Sequence, residues 1–161
     1  MSKRVSMADL SPVMAEVMQA GGEVTFTPSG VSMLPMLRDR KDKVVLVKAE
    51  FPLKKYDLPL YRRDNGSFIL HRVVEVKKDG TYVMCGDNQW IREYEISDKN
   101  IIGLVRAFER NGKHYECTDR AYIFYCKFWD FIYPLRKFAK RSKNFILRVL
   151  RKIKRIIMGN K

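Results

Sequence analysis

The sequence predicts a mainly β fold: a compact antiparallel sheet or partly closed barrel, preceded by a short helix and followed by a basic, amphipathic helical tail. Three observations carry this. Short β-branched or alternating runs recur between turn signals. A helical apolar period occurs only near the two ends. The excess positive charge is concentrated in the last quarter of the chain.

The first helix is expected over residues 8–20. Leu10, Val13, Met14, Val17 and Met18 fall at helical spacing, Asp9 or Ser11 can cap it, and Gly21-Gly22 ends it. Strands are expected at 24–27, 43–48, 58–62, 68–76, 81–85, 101–110 and 113–117. Asp64-Asn65-Gly66, Lys78-Asp79-Gly80 and Asn111-Gly112 supply the turns between them. Residues 121–135 (AYIFYCKFWDFIYPL) are dense in aromatics, but Lys127 and Asp130 interrupt them and Pro134 closes the run, so a membrane span is not expected. Residues 142–158 form an amphipathic pattern, with Ile146, Val149, Leu150, Ile153, Ile156 and Ile157 on one face and Arg148, Arg151, Lys152, Lys154 and Arg155 mostly on the other. The chain thus divides into a helical segment (1–22), a β body (23–118) and a tail (119–161).

A length of 161 residues, 46% of them apolar, suits one domain with a real core and excludes compositional disorder. The net charge of +14 is unevenly spread: residues 120–161 hold 13 Lys/Arg against one acid, Asp130, while residues 1–119 hold 19 against 17. A near-neutral body with a cationic tail points to an anionic surface. No nucleic-acid recognition motif accompanies the charge, so phospholipid is the expected partner, through residues 121–158, with Trp129 and the tyrosines at the headgroup layer. The alternative is a helix packed on the body. Three cysteines without a CxxC pair, and only two histidines, give neither a disulfide framework nor a metal centre, and no cofactor is expected. The first 22 residues contain no continuous apolar run, so neither a secretory signal nor a membrane helix is expected there; the expected location is peripheral, on the cytoplasmic side of a membrane.

The chemistry rests on three short segments. Ser32 lies between Gly30, which permits close approach, and Pro35, which stiffens the chain. His71 sits inside an apolar run, FILHRVV, and Asp87 follows a glycine in CGDNQ. A serine hydroxyl needs a base within hydrogen-bond reach. A neutral imidazole, with an ordinary pKa of about 6.5, can serve. A carboxylate on its far nitrogen fixes the tautomer. Ser32, His71 and Asp87 supply each role once.

These segments resemble, in order, the superfamily that joins type I signal peptidases to LexA-type self-cleaving repressors. The resemblance covers about residues 24–106: GVSMLPML for the nucleophile box, DKVVLVK and YDLPLYRRDNGSFILHRVVEV for the strands leading to the base, and YVMCGDNQ and IIGLVRAF for the closing boxes. His71-Arg72-Val73 is similar to the histidine-base branch of the endoplasmic reticulum and archaea rather than the lysine-base bacterial branch. The resemblance implies a serine endopeptidase acting on an extended precursor peptide through an acyl-enzyme on Ser32, with His71 as general base. It implies a second acid after the Gly-Asp-Asn box, for which Glu93 is the nearest match. It implies an oxyanion donor in the backbone N–H of Ser32, and a substrate groove along Gly30, Val31, Met33 and Pro35. Two other readings stand beside it. One is self-cleavage, with Ala20-Gly21 as a scissile pair. The other is a non-catalytic membrane-surface module on a peptidase-like scaffold.

Overall fold

The computed structural model describes residues 7–140 and 142. It is mainly β, as expected, with two antiparallel sheets, a short N-terminal helix and a helical C-terminal segment. Helix α1 (Met7–Gln19) ends where Gly21 adopts a left-handed φ of 82°. Gly22 N–H then reaches Val17 O at 2.9 Å and Gly21 N–H reaches Met18 O at 3.1 Å, which satisfies two end carbonyls. The Ala20–Gly21 bond therefore lies in a closed helix terminus rather than in an extended segment.

The larger sheet contains β1 (Val24–Phe26), β2 (Lys43–Val47), β3 (Pro59–Arg62), β4 (Phe68–Leu70), β8 (Ile101–Arg110) and β9 (Lys113–Glu116). Its order is β1-β2-β8-β3-β4, with β9 also paired to β8, so β4 is an edge strand. The second sheet is β5 (Arg72–Val76), β6 (Tyr82–Cys85) and β7 (Glu93–Ile96), in the order β5-β6-β7. The main core joins Met14 and Met18 of α1 to Val44, Leu46, Leu60, Val105 and Phe108 of the larger sheet. Each such buried side chain contributes about 1.5–3 kcal/mol. Gly103 on β8 makes the approach of α1 feasible, since a β-carbon there would lie 2.8 Å from Met18 Sδ. A smaller core of Leu53, Tyr61, Val73, Tyr82, Met84 and Ile96 fills the space against the second sheet. β3 serves both cores, Leu60 on one face and Tyr61 on the other, which is why its run is apolar without alternation.

Three elements differ from the sequence reading. The run 68–76, expected as one strand, is two: β4 pairs with β3, β5 pairs with β6, and His71 is the residue at which the chain changes sheets. Strand β7 (EYEI) was not expected, because its charged residues and the positive φ of Glu95, 64°, hide its pairing with β6. The aromatic segment is helix α2 (Arg120–Phe131), and residues 133–140 continue helically after a turn at Ile132. This part of the tail packs on the body: Tyr122 and Cys126 are buried in the main core. Residues 143–158 of the expected amphipathic helix lie outside the described residues. Among the described residues no helix is long and apolar enough to cross a membrane.

Candidate active site

Ser32 lies on the long connection between β1 and β2, and that connection is tightly pegged. Met33, Met36 and Leu37 are sunk into the main core. Asp42, fully buried, accepts from Arg38 Nη2 at 2.6 Å and from Arg38 N–H at 2.8 Å. Arg110 donates to Pro35 O at 2.9 Å. Gly30 adopts a φ of 111°, available at low cost only to glycine, and its N–H donates to Asp39 Oδ1 at 2.7 Å. With Met33, Met36 and Leu37 anchored inward, Ser32 is left half-buried at the surface of the loop. Its Oγ makes no hydrogen bond within the described residues.

His71 is 1% exposed. Its Nδ1 lies 3.0 Å from Glu93 Oε1 and 3.2 Å from the hydroxyl of Tyr61. Glu93 is itself gripped by Arg63, Nε to Oε2 at 2.7 Å and Nη2 to Oε1 at 2.5 Å. Burial works to raise the Glu93 carboxyl, but hydrogen bonds from His71 and Arg63 outweigh it and hold its pKa at about 2. Burial, followed by the Glu93 charge, pushes the Tyr61 hydroxyl far above its ordinary value, so it stays a donor. An ionised Glu93 is acceptor-only, and so it selects the tautomer with hydrogen on Nδ1. The lone pair of the imidazole is then on Nε2.

Nε2 faces Gly86. A β-carbon on Gly86 would lie 3.0 Å from His71 Nε2 and 2.7 Å from Ser32 O, so this glycine is the spacer between the imidazole and the serine loop. Two residues on, Asn88 N–H donates to Ser32 O at 2.7 Å and Asn88 Nδ2 donates to Val31 O at 3.0 Å. The Gly-Asp-Asn segment thus sutures the serine loop beside the imidazole.

Asp87 does not orient the imidazole, which corrects the expected pairing. Its carboxylate accepts from Arg72 Nε at 2.9 Å and Nη2 at 2.8 Å, and from Tyr125 at 2.9 Å. The reason is strand geometry: consecutive side chains point to opposite faces, so His71 and Arg72 look away from each other. Asp87 lies on the Arg72 side and Glu93 on the His71 side. Arg72 also donates to Tyr122 Oη at 2.7 Å and to Tyr56 O at 3.2 Å. The C-terminal helical segment closes over the pair: Trp129 Nε1 donates to Asp87 O at 2.8 Å, Tyr133 to Trp90 O at 2.8 Å, Arg136 to Asp87 O and Lys140 to Asn88 O. Trp129 and these tyrosines therefore face the protein and not a headgroup layer.

A cleft of about 90 Å³ runs beside Ser32. Pro28, Ser29, Gly30, Met33 and Leu37 form one wall, and Phe68, Ile69 and Leu70 of edge strand β4 form the other. Of the expected groove residues, Gly30 and Met33 line it. Val31 is 56% exposed and outside it, because it points to solvent from the turn. Pro35 lines a separate cleft with Trp129, Arg136 and Lys140. Tyr61 and Arg63 were missed by sequence reasoning. Their i, i+2 spacing on and just after β3, which pairs with the strand that ends one residue before the histidine, was the available signal. No family model, curated protein or solved structure matches this chain.

Proposed function

We propose that the chain is a serine endopeptidase with Ser32 as nucleophile, His71 as general base and Glu93 as the acid that orients it. The observation that carries this reading is the imidazole of His71, whose Nδ1 is held at 3.0 Å by an ionised carboxylate while Nε2 is turned toward the serine loop. The resemblance of the serine and His-Arg-Val segments to histidine-base signal peptidases supports it.

The substrate is an extended peptide. The free edge of β4 offers backbone donors and acceptors to an added strand, and the cleft beside Gly30 and Leu70 accepts a small apolar side chain. Ser32 Oγ attacks the scissile carbonyl and its proton passes to His71 Nε2. Glu93 stabilises the imidazolium. The Ser32 N–H, which makes no hydrogen bond among the described residues, receives the oxyanion. The tetrahedral species expels the amine, which takes the proton from Nε2 and leaves an ester on Ser32. Water, deprotonated by His71, then hydrolyses the ester. The Ser32–His71 hydrogen bond is not formed in the free protein; such bonds often close only with substrate.

A fluorophosphonate probe tests this. The wild-type protein should be labelled on Ser32, and Ser32→Ala and His71→Ala proteins should not. A folded wild-type protein that resists the probe and cleaves no extended peptide would favour the scaffold reading. Cleavage at Ala20–Gly21 without added peptide would favour self-processing.

A further inference from the structure

The inward face of the C-terminal helical segment is fully used, and its outward face is not. Tyr122, Tyr125, Trp129, Tyr133 and Arg136 bond to the body. On the other side, Phe124, Phe128, Phe131, Leu135 and Phe138 are 72, 48, 83, 70 and 70% exposed. Their spacing of four, three, four and three residues places them on one helical face, over a length of about 20 Å. A contiguous stripe of four phenylalanines and a leucine is far more apolar surface than a solvated helix carries.

The charges around the stripe decide what covers it. Lys127 and Lys137 are exposed beside it. The one acid of the segment, Asp130, is turned to the body, 2.7 Å from Lys55 Nζ. Residues 141–161 add eight Lys/Arg and no acid. A second copy of this chain would bring like charge against like charge, and paired helices favour Leu, Ile and Val over phenylalanine at such positions. We infer that this face docks on an anionic lipid surface, with the phenylalanines in the boundary between headgroups and acyl chains and the lysines on the phosphates. The inference does not depend on the peptidase reading. Because the same helical segment grips Asp87 and Asn88, docking would hold the Ser32 loop at the membrane surface.

The full chain should co-sediment with phosphatidylcholine vesicles containing phosphatidylglycerol and not with pure phosphatidylcholine. The Phe131→Ser/Phe138→Ser variant should bind at least about tenfold more weakly, equivalent to about 1.4 kcal/mol. Its melting temperature should be unchanged, and Ser32→Ala protein should bind like wild type. In a Phe131→Trp variant, bromine on the acyl chains should quench the new indole strongly, whereas Trp129, turned inward, should be quenched little in wild type. Equal binding by wild type and the double variant would overturn the inference and leave binding to residues 141–161 alone. Unquenched Phe131→Trp on bound protein would overturn it too. A lipid-free dimer that Phe131→Ser dissolves would replace lipid by a second copy. A lower melting temperature in the double variant would mean that the chain's own tail covers the stripe.

Discussion

His71 and Arg72 share a peptide bond and each meets a carboxylate, yet the two pairs are built for opposite ends. Around Arg72 everything is closed: its side chain is 3% exposed, that of Asp87 is 2%, and the Tyr122 hydroxyl, the Tyr56 carbonyl and the sulfurs of Cys126 and Met36 take up the remaining donors. A guanidinium does not give up its proton, so this pair is a fixed charge and a structural rivet. Around His71 the carboxylate is 19% exposed, and one imidazole nitrogen faces a half-buried serine loop beside an open cleft. That pair can pass a proton. The contrast shows how two consecutive side chains on opposite faces of an extended segment separate a partly open histidine–carboxylate pair from a sealed arginine–carboxylate pair.

The contrast can be broken most sharply through the rate. Ser32→Ala and His71→Ala should each lower kcat on a cleavable peptide by roughly 10⁴-fold. Ser32→Ala should leave the denaturation midpoint within about 0.5 kcal/mol of wild type. If Asp87→Asn, with its fold intact by circular dichroism, lost as much activity as His71→Ala, the division of roles would be wrong.

On the other side of the strand the measured effect should be stability. Asp87→Ala strands a buried guanidinium and should cost about 3–5 kcal/mol in urea denaturation. The Arg72→Met/Asp87→Leu double variant removes both charges and should recover most of that loss. A double variant no more stable than Asp87→Ala would mean that the tyrosine and tryptophan contacts, not the ion pair, hold the segment.

The smallest expected effect is on pH dependence. The folded pKa of Glu93, about 2, is below the ordinary 4.5. Its contribution, on the order of 3 kcal/mol, is therefore complete above pH 4.5 and lost as pH falls toward 2. Glu93→Gln should flatten the acid limb of the stability curve between those values and reduce activity by roughly 10²-fold. Parallel acid limbs in wild type and variant would show that Glu93 is not held by His71 and Arg63.

Local signals were enough for most strands, because turns such as Asn111-Gly112 and β-branched runs such as 43–47 determine conformation within a few residues. Helix α1 was legible for the same reason, from apolar spacing and its terminal glycines. Ser32 and His71 stood out as chemistry, and Glu93 as a candidate second acid. The break at His71 was not legible: FILHRVV is equally good as one strand or as two, and only pairing partners separated along the chain decide.

By itself, then, the sequence determined the β class, the N-terminal helix and the basic C-terminal end. Those properties depend on residue type and short-range period. Tertiary structure alone decided which carboxylate faces the imidazole, that Tyr61 and Arg63 join it, and that the tyrosines and Trp129 turn inward while the phenylalanines turn out. Asp87 and Glu93 offer the same functional group at similar distances along the chain from His71. Only the opposite faces of a strand crossing between two sheets, and the helix packed on one of them, tell the two carboxylates apart.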